Sequence, residues 1–572
     1  MSTTGDRDNP YSFDDYVGVR DRFDYYADDP FFQALVRHHA VGEASALDEE
    51  LRDLSGRVSF THRDLADRAG SLENRIRVTH VKHFDAFNHR VDAVERCPET
   101  EQLEREIFDV GLFDPTRNTP WSRFSKMFLL YENGEFGVMC PVACTQGMIA
   151  LMEKYEAGHD GATEPALGPE ARDLLGFVRN GEVRDGERAY GRGAQFITEI
   201  QGGSDVAANL VEAVCEDGVW RLYGKKFFCS ATQADVALVT AKPTGTTSAD
   251  RVAVFVVPSW LPQDRERGQR NGYTIDRMKQ KLGTAELPTA EITYDGAVAY
   301  PVGPLEKGLA NVVAVTLTFS RVHVAVGMAA AMLRAAREAT WYAQFRQAFG
   351  STVARFPLVA NQIADLNLAA RRSAAGVFKM YGELLALGER LPAGLGELAQ
   401  IRDLEERKRR FRLRELIILQ KITVAYEAPE MIRLAISLLG GHGIMEDFSA
   451  LPRLLRDAFI MELWEGPRNV LLAQIHRDLS RVSEWYEPED FCRDLLGGAG
   501  AAAEPLASEL GRLARHPGLL SPDPETLQVC RDWDRLSLGL CHAYQDRALA
   551  ELGHPAGPPS FAELAAGRPD LQ

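Results

Sequence analysis

Residues 316–349 read as one long helix whose first half carries small or apolar side chains nearly all round, among them Val322, Val324, Ala325, Ala329, Met332 and Leu333. Such a helix has no face to offer water, so other elements must enclose it. Helical patterns recur at 358–387, 404–428 and 468–482, which supplies the enclosing bundle. Ahead of them the texture differs. Runs rich in β-branched and aromatic residues (219–228, 236–241, 252–257, 290–294) alternate with turn residues such as Gly218, Pro243, Pro258 and Gly296. That is the pattern of a compact β domain of about 100 residues. Upstream, a helical stretch covers 124–155, interrupted by Gly137 and Pro141, and amphipathic spacing predicts another helix around 84–106.

The predicted class is therefore α+β: a helical N-terminal domain, a central β-barrel or sandwich, and a C-terminal helical bundle with an extra helical region. The expected divisions are 1–110 as a helical extension, 111–195 as an α domain, 196–305 as the β domain, 306–480 as a four-helix bundle and 481–572 as the additional helices. A length of 572 residues accommodates about four units of ordinary size.

Composition removes several function classes. The eight cysteines are scattered with no CxxC pair, which argues against a zinc site or a disulfide framework, so no metal is expected. Cys140 and Cys144 share a helical face and read as buried thiols. The net charge of -17 opposes non-specific attraction to nucleic acid. No apolar run reaches the roughly 18 uncharged residues of a membrane span. The start, MSTTGDRDNP, lacks the basic and apolar stretches of a secretory signal, so a cytoplasmic location is expected.

Generic cofactor loops are missing: no G-x-G-x-x-G after a strand, no Walker loop, no H-E-x-x-H and no G-x-S-x-G. Three constellations remain. FITEIQGGSD (196–205) is a tight turn with backbone N–H groups suited to an anion, or simply a surface turn. GKKFFCS (224–230) is a strand ending in a hydroxyl residue. LGGHG (439–443), followed by RDA (456–458) and LWEG (463–466), sets Glu465 between Trp464 and a glycine. There it is either a solvated carboxylate or a base whose pKa burial has raised.

In this order and spacing the motifs resemble the acyl-CoA dehydrogenase superfamily. Its members carry T-E-x-x-x-G-S-D, G-x-K-x-W-I-T, K-x-G, R-x-x-F-G, L-G-G-x-G, R-D-A and Y-E-G-T. Here these stand as TEIQGGSD, GKKFFCS, KLG (281–283), RQAFG (346–350), LGGHG, RDA and WEG, over about residues 110–480. Trp464, Asn469, Pro357, the segment HFDAFNHRVDAVERCPETEQL (83–103) and the extra C-terminal helices are similar to the AidB-type branch.

The resemblance implies an FAD-dependent α,β-dehydrogenation of an acyl thioester, with Glu465 as the catalytic base and its own N–H as one oxyanion donor. It implies that Thr198 and Ser230 bind the flavin ring and that Ser204 lies at the phosphate and substrate entry. Arg346 would neutralise the pyrophosphate across a subunit boundary, with Phe349 packed on the cofactor. Gly440 and Gly441 would approach the neighbouring subunit's FAD and Asn469 its adenosine part, which requires a homotetramer or homodimer. The electron acceptor would be an electron-transferring flavoprotein or another acceptor. Where some members carry the base on the long helix, this chain has Ser320 before Arg321.

The family's arginine after K-x-G is replaced by Thr284-Ala285-Glu286-Leu287-Pro288, Ser437 stands for a glutamine, and Pro357 stands for an FAD-contacting glutamine. A carboxylate at 286 near a passing nucleotide tail would weaken CoA binding, so a carrier-protein-bound or unusual acyl group is expected beside CoA. Two other readings stay open. One is a DNA-associated alkylation-response flavoprotein, opposed by 8 Arg and no Lys against 15 Asp and Glu in 481–572. The other is a flavin oxidase or monooxygenase on the same fold.

Overall fold

The computed structural model describes residues 12–76, 79–156, 167–184, 186–245, 251–261, 270–388, 394–553, 557 and 559–566. Its axis is the helix Leu317–Phe345, buried on every side from Thr318 to Ala343. A π-helical turn, Val312–Thr316, leads into it. Packed around it are Pro120–Tyr131, Phe136–Glu153, Pro357–Ala386, Leu404–Leu438 and Leu451–Leu463. The helical stretch predicted at 316–349 thus ends at Phe345, and residues 347–352 turn back as a small hairpin.

Two other boundaries moved. The 124–155 stretch is two helices, parted at Glu132 to Glu135. Asn133 Oδ1 accepts from the Glu135 N–H, and the Glu135 carboxylate accepts from the Gly137 and Val138 N–H groups, starting the second helix. Leu404–Leu438 runs ten residues beyond 428, through Pro429. Ala428, Pro429, Ile432 and Ala435 are all buried, and tertiary packing outweighs the one lost hydrogen bond. Two stretches, Phe136–Glu153 and Leu305–Phe345, are long and apolar enough to cross a membrane by length and composition. Both are mostly buried inside the fold.

The β domain closes on itself. Thr289–Pro301 pairs with Val219–Ser230, which pairs with Glu212–Glu216, then Val236–Pro243, then Ala253–Pro258, which returns to Thr289–Pro301. Gly193–Phe196 joins parallel to Val236–Pro243, and Tyr273–Met278 lies on the open edge of Thr289–Pro301.

The helix expected at 84–106 is half wrong. His80–Phe84 and Arg90–Glu95 form an antiparallel hairpin, and the helix is only Pro98–Asp109. The hairpin guards the barrel's edge strand: Asp92 Oδ2 accepts from the Ile275 N–H at 2.9 Å, and Arg90 donates to the Ile275 carbonyl at 3.2 Å. Val81 and Val94 pack on the barrel core.

The N-terminal segment is joined to the central helix by buried charge. Arg337 reaches Asp29 at 3.0 Å and Glu132 at 2.5 Å, with its guanidinium over the rings of Phe23 and Tyr25. At the other end of the chain, Pro524–Glu551 packs on Pro357–Ala386 and Leu404–Leu438, and Asp534 there binds Arg468.

Candidate active site

Glu465 sits between two helices rather than at the start of one. Leu451–Leu463 ends at Trp464, and the chain then passes through positive φ at Glu465 (60°) and Gly466 (101°) before Arg468–Val482 begins. A left-handed glutamate costs on the order of 1–2 kcal/mol, so its surroundings must enforce it. Arg321 Nε donates to the Glu465 carbonyl at 3.2 Å. Lys421 Nζ donates to the carbonyls of Glu462 and Gly466 at 2.8 and 2.7 Å. Trp464 packs against both the bundle core and the barrel core, which places Glu465 at the seam of the two.

Burial pushes the Glu465 carboxyl up to about 7, with Arg321 and Lys421 pulling the other way. Burial also pulls Lys421 down to about 7 and Arg321 to about 10. The neighbouring wall is formed by Cys144, Gln195 and Ser320: Gln195 Nε2 donates to Ser320 Oγ at 3.3 Å and to the Cys144 carbonyl at 3.4 Å. The Cys144 thiol is pushed well above its ordinary value by its contact with Cys140 and by burial, with Glu465 adding to it. Both thiols are buried, in keeping with their reading from the sequence.

The hydroxyls of Thr198 and Ser230 come from adjacent segments of the barrel and are half-buried. The Phe227 N–H donates to the Thr198 carbonyl at 2.9 Å, which sets Thr198 beside the strand that ends in Ser230. The buried pair Glu199–Lys226, at 2.7 Å, explains why the turn and the strand go together. Glu199 also accepts from the Leu210 and Val211 N–H groups. Burial draws Lys226 down to about 8 against the pull of Glu199. A Cβ on Gly203 would meet Thr198 Oγ1 at 2.7 Å, so this turn needs its glycine. Ser204 is exposed at the turn. Ser230 Oγ lies 3.1 Å from Thr289 Oγ1, which accepts from Lys281 at 3.0 Å. Phe228, two residues before Ser230, is 48% exposed where the family pattern has Trp.

Arg346, Phe349, Gly440 and Gly441 form a second group. Arg346 lies 25 residues beyond Arg321, the end of the central helix opposite to Glu465, about 37 Å away at 1.5 Å per residue. Its guanidinium lies over the Phe13 ring. Phe349 and Gly350, both at positive φ, make the two-residue tip of the 347–352 hairpin, and Phe349 is 98% exposed. Gly440 and Gly441 are exposed with open space where a Cβ would stand. His442 beside them is engaged within the chain, its Nδ1 3.0 Å from Tyr342 Oη and its ring 4.4 Å from that of Phe13. Asn469 belongs with the Glu465 end, exposed in the first turn of Arg468–Val482.

Glu286 departs from its sequence reading. It is buried rather than facing a passing ligand, in a cluster with Glu135, Asp457 and the half-buried Lys281. Burial, with the neighbouring carboxylates adding, pushes Glu135 up to about 8 and Asp457 to about 7. Asp457 accepts from the Thr284 N–H at 2.6 Å, and a Cβ on Gly283 would meet the Arg456 carbonyl at 2.2 Å. The K-L-G loop and the R-D-A helix therefore recur together because one seats on the other. Lys421 was missed by motif reading, although a lone lysine inside the apolar run 416–425 is a signal.

Comparison with known proteins agrees with this layout. Residues 194–297 match the model of the acyl-CoA dehydrogenase middle domain, and residues 306–480 that of the C-terminal domain. Acyl-CoA dehydrogenase family member 11 of Caenorhabditis elegans is 30% identical over 80% of this chain and 70% of its own length. The putative acyl-CoA dehydrogenase AidB of Escherichia coli is 27% identical over 73% of this chain and 72% of its own. Among solved structures, C. elegans ACDH-11 in complex with C11-CoA superposes with a TM-score of 0.67, 25% identity, and coverage of 94% of this chain and 92% of that one.

Proposed function

The chain belongs to the acyl-CoA dehydrogenase family, and on that premise we propose that it is an FAD-dependent oxidoreductase in which Glu465 removes the α-proton of an acyl-CoA thioester. The observation that carries this reading is the Glu465 turn: a carboxyl raised to about 7, at a domain seam, on a strained backbone held by two cations. A base with a pKa near the working pH is both sufficiently ionised and sufficiently basic to take a weakly acidic proton.

The residues present fit FAD. Thr198 and Ser230 offer half-buried hydroxyls on neighbouring segments, Phe228 on the same strand as Ser230 exposes its ring, and Ser204 is exposed on the adjoining turn. These would hold the flavin end. Arg346, Phe349, Gly440 and Gly441 are too far along the central helix to reach the same molecule within one chain, so they would serve the cofactor of a second copy. Asn469, expected with them at the neighbouring subunit's adenosine part, lies instead at the Glu465 end and is not brought together with that group. A homodimer or homotetramer follows from that split. Bound FAD supplies the acceptor for the β-hydride.

The chain's own part is to place the thioester and to handle the proton. A Glu465 carboxylate oxygen takes the α-proton, and the Glu465 N–H meets the charge that develops on the thioester oxygen. Trp464 and the wall of buried Cys144 and Ser320 with half-buried Gln195 would limit water around the reacting carbons. CoA is the favoured carrier: the Glu286 side chain is buried, and the C. elegans relative is seen with C11-CoA. An electron-transferring flavoprotein or another acceptor completes turnover as the proposed partner.

The test is an absorbance spectrum of the purified protein and anaerobic titration with a panel of acyl thioesters on CoA and on a carrier protein. The expected result is a flavin spectrum bleached by one class of acyl-CoA and left unbleached in Glu465→Gln. A colourless protein that takes up no FAD overturns the reading. Bleaching only by carrier-bound thioesters overturns the choice of CoA.

A further inference from the structure

Lys421 lies in the interior of Leu404–Leu438 and is 1% exposed, among the buried side chains of Ile417, Ile418, Ile422 and Val424. Placing an ammonium there is costly unless its donors are used. Two of its three donors are used, both on a single target. One accepted bond goes to the Glu462 carbonyl, in the last turn of Leu451–Leu463, where helix carbonyls have no partner of their own. The other goes to the Gly466 carbonyl, just past the base. The ammonium thus ties both ends of the five-residue turn 462–466, and Arg321 ties Glu465 itself from the central helix.

We infer that Lys421 is a positioning residue for the reaction, holding the 462–466 turn so that the Glu465 carboxylate faces the α-carbon; this rests on the reading of Glu465 as the base. A neutral side chain of the same length could fill the space but could not hold both carbonyls. The charges around the turn are Arg321 from the central helix, Glu462 from Leu451–Leu463, Arg468 from Arg468–Val482, and Lys421 itself. Glu415, Arg414 and Asp478 stand behind Arg321, and Cys144 faces Glu465 from Phe136–Glu153. Of these, Arg321 and Lys421 favour the ionised base. Removing the Lys421 charge leaves burial opposed by Arg321 alone, so the pH at which Glu465 works moves upward.

The experiment uses the FAD-loaded enzyme and an arylacetyl-CoA deuterated at the α-carbon. This thioester has α-hydrogens but no β-hydrogen, so loss of deuterium to water reports proton abstraction without hydride transfer. In Lys421→Met the exchange rate should fall by about 10- to 100-fold, the cost of a misplaced base. Its half-maximal pH should rise, with the thioester dissociation constant little changed. Lys421→Arg should keep the acid limb of the wild-type pH profile at a reduced rate. Wild-type rate and pH profile in Lys421→Met, with Glu465→Gln inactive, overturn the positioning role alone. Wild-type exchange in Glu465→Gln overturns the base assignment itself. If Lys421→Met does not fold, Lys421→Gln carries the same expectation and the same overturning result. If neither neutral variant folds, an unreduced rate in Lys421→Arg overturns the inference.

Discussion

A carboxyl raised to about 7 leaves Glu465 half protonated near neutrality, so the base should titrate in an accessible range. Only the ionised form accepts a proton. On the acid side of about 7 the kcat/KM should therefore climb with pH, and an initial-rate series from pH 5.5 to 7.5 checks this. A profile already flat from pH 5.5 would mean that the base lies elsewhere. Glu465 stood out in the sequence as the proposed base because a glycine and an aromatic flank it at a fixed distance from Arg456. Its restraints were not: Lys421 and Arg321 lie 44 and 144 residues upstream and act through carbonyls, for which any buried cation in reach would serve. Glu286 was misjudged for a related reason. A sequence shows the charge of a side chain but not whether it points to solvent.

At the scale of elements, the K-L-G loop, the start of Phe136–Glu153 and the helix Leu451–Leu463 meet over Glu135, Glu286 and Asp457. Asp457 is raised to about 7 in the folded chain, so the fold retains a proton that the unfolded chain gives up near pH 4. Its contribution to stability is fully present below pH 4 and is lost as pH rises to about 7. Asp457→Asn keeps an acceptor for the Thr284 N–H and removes that titration. The fall in Tm from pH 5 to 8 should be shallower in the variant than in the wild type when followed by calorimetry. Parallel curves would exclude a retained proton at Asp457. The helices and barrel strands were legible from period and turn residues. The 80–95 hairpin was not, because Phe84, Phe87, Val91 and Val94 recur at the three- to four-residue spacing of a helix. Asn88 at positive φ and the pairing of Asp92 with a distant edge strand decide the matter, and both depend on tertiary structure.

For the molecule as a whole, the ion pairs of Arg337 make the N-terminal segment part of the core rather than an appendage. Asp29 also caps Pro30–His39 by accepting from the Phe31 and Phe32 N–H groups. Asp29→Ala removes the cap and one partner of a buried cation, at a cost of about 3 kcal/mol. The Tm of the main transition should fall, with loss of soluble yield. An unchanged main transition would show instead that the segment melts on its own. The other molecule-wide feature is the hairpin that holds Phe349 in the solvent, with its backbone already in the left-handed conformation. The Phe349 ring meets that of Phe356 edge-on at 6.2 Å and otherwise faces solvent, and in the proposed assembly half of the cofactor cradle lies on another copy. Flavin retention is then governed by mass action in the polypeptide itself. Diluting the holoenzyme at constant free FAD should drain its bound flavin in step with the dissociation of its subunits, as fluorescence and sedimentation would record. Phe349→Ala should shift both curves together to higher protein concentration.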